Sequence, residues 1–245
     1  YRTESRLGTL NINYGVRLSY WSWNREWLFS PRVNIGYVPA ANENFTFRLA
    51  TGLYYQRPFY KELRDTVTRH GNTVVELNRN IKSQRSFQVV AGMEYKFKIA
   101  QRPFSFTTEL YYKGQAYLNP YNVDNVKIVY YGNNCADGYV IGADFKLYGE
   151  FVPGTDSWIS FGLMKAQMNL NGKSIPQPTD QRWNVNFFFS DYFPGTTRWK
   201  LSLKASFADG LPFGPPHTGL ERNVFRSTAY KRVDVGMNYR LVDNE

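Results

Sequence analysis

Residues 8–20 read Gly8-Thr-Leu-Asn-Ile-Asn-Tyr-Gly-Val-Arg-Leu-Ser-Tyr20, an unbroken alternation. Leu10, Ile12, Tyr14, Val16, Leu18 and Tyr20 fall on one side; Thr9, Asn11, Asn13, Gly15, Arg17 and Ser19 fall on the other. Successive side chains of an extended chain point to opposite faces, so this stretch is a ribbon with one apolar and one polar surface. It exceeds the about 5–6 residues usual for a strand. It suits the roughly 9–11 residues that a tilted strand needs to cross a bilayer.

The same pattern recurs along the chain. Val33, Ile35 and Tyr37 alternate within residues 29–38, and Phe45, Phe47, Leu49, Thr51 and Leu53 follow the polar turn after Pro39. Residues 84–98 carry Phe87, Val89, Ala91, Met93, Tyr95 and Phe97 on one face, and Phe104 to Tyr112 return. Tyr139 to Phe151, Ile159 to Leu163, Trp183 to Phe189, Trp199 to Phe207 and Val233 to Leu241 complete about ten strands by this pattern. Short turns at 39–44, 99–103, 152–156 and 193–197 alternate with long connections at 56–83, 117–138, 169–179 and 209–227, the short segment 21–27 being the exception. The second long connection holds strand-like residues at Val126–Tyr131. Tight turns on one side and long loops on the other mark a transmembrane barrel. Tyr37, Phe45, Phe97, Phe104, Phe151, Trp158 and Trp199 lie beside the short turns, where an interfacial girdle belongs. A soluble antiparallel sandwich alternates too, but strand length, turn asymmetry and aromatic placement favour the barrel.

Composition agrees with this reading. The 245 residues allow one large β domain, and aromatics reach 18%. The excess of 30 Lys+Arg over 20 Asp+Glu is scattered singly rather than gathered into a run or stripe, which speaks against nucleic acid as a partner. There is no run of about 18 apolar residues, so the sequence predicts no transmembrane helix. The single Cys135 rules out an internal disulfide framework and a cysteine-rich zinc site. No secretory signal opens the chain, which for an exported protein implies a mature form or a fragment.

Several segments resemble the C-terminal barrel half of TonB-dependent outer-membrane receptors, particularly those of Bacteroidetes. They are Gly15-Val-Arg-Leu-Ser-Tyr, Ser30-Pro-Arg, Leu53-Tyr-Tyr-Gln-Arg-Pro-Phe-Tyr-Lys-Glu-Leu-Arg, Gly149-Glu-Phe-Val-Pro-Gly-Thr, Pro178-Thr-Asp-Gln-Arg, Leu211-Pro-Phe-Gly-Pro-Pro and Tyr230-Lys-Arg-Val-Asp-Val-Gly. Each is short; their order and spacing over nearly the whole chain carry the match. The resemblance implies an all-β antiparallel transmembrane barrel in the Gram-negative outer membrane, part of a barrel of about 22 strands. It implies active import of a nutrient: outer loops capture the ligand and a plug rearranges when the TonB complex pulls on it. Such receptors carry a plug and a TonB box, and neither is visible here. Residues 1–245 are therefore expected to be one barrel segment lacking the plug, the early strands and the last strands, with about two strands to follow Glu245. The partners implied are the TonB complex, outer-membrane lipid and a surface lipoprotein.

No catalytic constellation stands out, so no enzyme and no cofactor or metal is expected. His70 and His217 lie in predicted outer loops, with Asp65 and Asp209 near them but no serine-nucleophile motif. They read as solvated loop histidines, and two such ligands alone do not make a metal site. The segment Arg57–Arg64 mixes cations and aromatics at the top of a strand: Arg57, Tyr60 and Arg64 could contact an anionic or glycan ligand, or form an ordered transition from strand to loop. Tyr130 and Tyr131, followed by Gly132-Asn-Asn, offer rings and amides suited to sugars or planar ligands, or to packing within the loops. With His217, these are the candidate ligand contacts. Polar-face Arg48, Glu94, Glu109, Asp144, Lys146, Lys200, Lys204, Arg232, Asp234 and Arg240 are expected to pair with one another or with a plug. A complete ten-stranded barrel enzyme resembling the omptin-type proteases, or a passive porin, is the alternative. Pairing between the first and last strands would decide for such an enzyme.

Overall fold

A computed structural model describes residues 2–5, 7–69, 72–124, 127–215 and 217–241. His70 and Val126 lie outside the described residues. The chain builds one antiparallel sheet of 12 strands. Its path is made by β1 (Arg2–Ser5), β2 (Gly8–Trp21), β3 (Glu26–Pro39), β4 (Phe45–Gln56), β7 (Gln84–Ile99), β8 (Arg102–Leu118), β11 (Ala136–Val152), β12 (Thr155–Leu170), β14 (Trp183–Tyr192), β15 (Trp199–Ala208) and β18 (Tyr230–Tyr239). The connections add two hairpins, β5 (Arg64–Arg69) with β6 (Asn72–Leu77) and β9 (Tyr121–Asp124) with β10 (Lys127–Tyr130). They also hold the helical turn α1 (Tyr60–Leu63), β13 (Lys173–Pro176), and the two-residue ladder of β16 (Pro212–Phe213) with β17 (Phe225–Arg226). The ten long strands of the path are those the alternation predicts, and β1 precedes them. β1 and β18 stand at opposite ends of the path and do not pair, so these residues form an open section of barrel wall, not a closed ten-stranded barrel.

Register shows why the period matters. Ile12 opposes Ile35, which opposes Leu49, and the row continues through Ala91, Leu110, Ala143 and Leu163 to Trp183. One residue away, a second row runs Asn11, Gly36, Arg48, Gly92, Glu109, Asp144, Gly162, Asn184. A slip of one residue would put Arg48, Glu109 or Asp144 into the apolar row on β4, β8 or β11, and asparagine or glycine on the other strands, so the pattern itself locks the register. Tyr14, Val16, Leu18, Leu110, Val235 and Met237 are all exposed on the apolar face.

The short turns use backbone that hairpins require. Ala100 and Gln101 close β7–β8 with φ of 48° and 66°, the left-handed pair of a two-residue turn. Asn171 and Gly172, at 53° and 77°, do the same between β12 and β13. This hairpin corrects the expectation of a plain loop at 169–179: Asn-Gly is the favoured pair for such a turn, so β12 runs on to Leu170. Near the short turns Phe45, Tyr95, Phe97, Phe104 and Phe151 form a continuous ring chain, with centroids 4.4 to 5.8 Å apart. Trp158 does not join it. Ile159 and Phe161 occupy the apolar rows, so Trp158 faces the polar side, where the Lys146 ammonium lies 5.4 Å from its ring.

On the polar face Arg48 pairs with Glu94 at 2.7 Å, Lys96 lies 3.9 Å from the same carboxylate, and Arg232 pairs with Asp234 at 2.8 Å. Glu109 and Asp144 oppose each other directly as like charges, so these two do not pair with each other.

Candidate functional site

The connections at one end of the sheet are stitched into one layer by side-chain N–H donors and amide oxygens. Trp23 Nε1 donates to the Asn78 carbonyl at 3.5 Å, and Asn24 donates to the Ile81 carbonyl at 3.2 Å. Asn78 Nδ2 donates to the Gly132 carbonyl at 3.2 Å. Asn134 Oδ1 accepts from the Lys82 N–H at 2.7 Å, while its Nδ2 donates to the carbonyls of Lys82 at 3.0 Å and Tyr117 at 2.6 Å. Asn122 then reaches the Thr218 carbonyl at 2.8 Å. Four connections thus form one roof over one end of the sheet. An apolar cluster of Ala136, Met168, Leu170, Ile175 and Leu220 packs beneath it.

A second fastening lies in the segment Pro178–Arg182. Asp180 is fully buried, accepts from the Ala166 N–H at 2.6 Å, and is bonded by Arg182 Nε at 2.8 Å and by the Arg226 guanidinium. Arg226 also bonds Asp209 at 2.9 Å and the Gly210 carbonyl at 3.0 Å. A buried carboxylate is costly unless it is paired and hydrogen-bonded, and this one is both.

Between roof and polar face lies a cavity of about 230 Å³. The ends of three strands supply Gln56, Gln84 and Gln115, and the connections supply Phe59, Glu62, Asn119, Tyr121, Tyr130 and Gln177. Glu62 arrives because α1 winds tightly: the N–H groups of Glu62 and Leu63 both donate to the Phe59 carbonyl, turning Glu62 and Leu63 inward to 3% and 8% exposure. Gln84 Nε2 donates to the Glu62 carboxylate at 3.3 Å. Burial pushes the Glu62 carboxyl above its usual range, and the Phe59 backbone with the nearby Gln84 and Asn119 amides partly offsets this. Gln177 Nε2 donates to Gln115 Oε1 at 2.7 Å. Asn119 Oδ1 accepts from the Gly132 N–H at 3.1 Å; its buried Nδ2 leans toward Glu62 without reaching full hydrogen-bond geometry. The Tyr121 and Tyr130 rings lie 5.8 Å apart. Burial raises both phenols, and the nearby Glu62 charge adds to the rise at Tyr130.

Of the candidates named from sequence, Tyr130 lines this cavity and His217 lines a separate one of about 360 Å³ beside Asn122 and Phe213. Tyr131 holds the roof, its hydroxyl accepting from the Leu220 N–H at 3.2 Å. Arg57, Tyr60 and Arg64 lie on the exposed outer side of the α1 segment, whose cavity-facing residues are Phe59 and Glu62. The glutamines escaped the sequence reading, although Gln56, Gln84 and Gln115 sit at polar-face positions near strand ends and Gln56 opposes Gln84 in register.

Among known proteins, a family model described as TonB dependent receptor-like, beta-barrel, matches residues 2–244. No curated protein and no solved structure matches the chain.

Proposed function

From the membership of this chain in the TonB-dependent receptor-like β-barrel family, we propose that it forms wall and outer loops of an outer-membrane nutrient importer driven through TonB. The observation that supports this most is the uninterrupted apolar row from Ile12 to Trp183, one residue out of step with a polar row of the same extent. An apolar band outside and a polar lumen inside is what a bilayer-spanning wall needs, since backbone groups in hydrocarbon must be satisfied within the sheet. In this reading the short turns face the periplasm, the stitched roof faces the medium, and the glutamine-lined cavity opens on the lumen. The plug, the TonB box and the remaining strands belong to other parts of the full-length receptor, which is of the Bacteroidetes type and works with a surface lipoprotein. The wall itself contributes no chemistry.

The test is uptake by cells carrying the full-length receptor, with and without TonB. Growth on the transported nutrient that disappears with the receptor and equally with TonB supports import. Uptake that persists without TonB, or after the protonmotive force is collapsed, would identify a passive pore instead.

A further inference from the structure

We propose that the cavity beneath the roof is a subsite for one ring of a neutral oligosaccharide. The proposal rests on the importer reading and names its substrate class. At about 230 Å³ the cavity is smaller than the roughly 300–1,000 Å³ that engulf a drug-sized ligand, so it suits one unit of a longer molecule. A second hollow of about 190 Å³ shares Gln56, Gln84, Gln115 and Leu118 with it and gives the chain a way to continue down the polar face.

The polar groups match hydroxyls. A carboxamide both donates and accepts, as a sugar hydroxyl does, so a wall of glutamine and asparagine can bond a ring in several senses. One donor is open. Gln115 has its oxygen engaged by Gln177 and its nitrogen without a partner among the described residues. Asn119 Nδ2 is sealed from the cavity and leans toward the Glu62 carboxylate. A donor left unpaired in a narrow cavity is costly, and a ligand oxygen relieves it. The tilted pair of Tyr121 and Tyr130 offers the amphipathic surface that a pyranose covers with its C–H face while its hydroxyls reach the amides.

Charge excludes the rivals. Among the described residues no lysine or arginine lines the cavity and Glu62 is its one carboxylate, so an anionic ligand would be desolvated without a counter-charge. Arg85 and Lys113 line only the adjoining hollow, and the Arg85 guanidinium is already seated 5.3 Å from the Tyr117 ring. A short peptide with free termini would need a cation and an anion together.

The experiment titrates the full-length receptor in detergent with neutral hexasaccharides (maltohexaose, cellohexaose, xylohexaose, mannohexaose), with hexagalacturonate and with a blocked alanine hexapeptide. Folding is followed by heat-modifiable gel migration. A neutral saccharide should bind, and Gln115→Leu and Tyr130→Ala should each weaken it by about tenfold or more, the usual effect of unpairing a ligand's polar groups or removing its platform. Tyr130→Phe, which keeps the ring, should retain the affinity. If Gln115→Leu fails to fold, the isosteric Gln115→Glu replaces it and should weaken binding similarly. Preference for hexagalacturonate or the peptide, no binding of any neutral saccharide, or binding indifferent to these substitutions would overturn the proposal. Uptake without TonB, with saccharide binding still sensitive to the variants, would instead remove the importer reading and leave the subsite.

Discussion

Asp180 shows how much one buried carboxylate can hold. It joins the β12–β14 connection to the β15–β18 connection through Arg226, and Arg182 braces it from the side. Removing Arg226 leaves Asp180 with Arg182 as its one ion-pair partner and takes from Asp209 the guanidinium that ties it to the cluster. Arg226→Met should therefore loosen both connections, seen as faster hydrogen exchange at residues 178–182 and 209–213 in the full-length receptor; unchanged exchange would show the cluster to be dispensable. The segment Pro178–Arg182 was visible in the sequence as a family-like motif, but its role was not, because Asp209 and Arg226 lie 27 and 46 residues from their partners. Glu62 is the second case. Its carboxyl is raised above the ordinary 4.5 by burial, so the charged form is the costly one. Below that ordinary value Glu62 is protonated in the folded and the unfolded chain, and its contribution is fully present. As pH rises through the raised folded value the contribution is lost. Protection of residues 59–63 against exchange should accordingly fall as pH is raised above the ordinary carboxyl value, and Glu62→Gln should flatten that dependence. A slope unaltered in the variant would exclude Glu62 as its source.

At the level of the strands, alternation says which face a residue takes but not how far a strand runs. The faces of β2, β3, β4 and β7 follow the sequence pattern because period 2 leaves no freedom once one face is apolar. The ends do not follow it. The β12–β13 hairpin was hidden because Asn171-Gly172 lies between short, mixed flanks, and Trp158 was misplaced because an aromatic near a turn says nothing of its parity. The same parity yields a sharp comparison on β3. Ile35 sits mid-strand between Ile12 and Leu49, while Asn34 opposes Asn13 and Ala50 on the polar face. An arginine on the bilayer face of a barrel at mid-depth costs about 2–4 kcal/mol, whereas lumenal substitutions are tolerated. Ile35→Arg should thus lower the folding free energy of the full-length receptor in lipid vesicles by that amount, with Asn34→Arg close to wild type. Equal losses at both positions would mean that neither face meets lipid.

For the whole molecule, the sheet supplies a two-faced wall and the connections supply a roof at one end only, so function depends on which end meets the medium. Fold class and wall were legible from residues 8–20 outward because they rest on a local period. The cavity was not, since it is assembled from Gln56, Gln84, Gln115, Asn119 and Gln177 on separate elements whose proximity only the sheet creates. Orientation can be tested with a natural marker. Cys135 is exposed at the roof end, just before β11, and Glu43 is exposed in the short turn between β3 and β4 at the other end. If the roof faces outward, a membrane-impermeant maleimide should label Cys135 on intact cells carrying the full-length receptor with any further cysteines replaced. Cysteine at position 43, in the Glu43→Cys, Cys135→Ser double variant, should label only after the outer membrane is permeabilised. The rate has its own signature: partial burial pushes the Cys135 thiol up, and the thiolate is the reactive form. Labelling should therefore be slow at neutral pH and accelerate as the medium is made alkaline. Labelling at position 43 on intact cells, with Cys135 silent until permeabilisation, would invert the molecule and place the glutamine cavity at the periplasmic mouth, where it could not receive a ligand from outside.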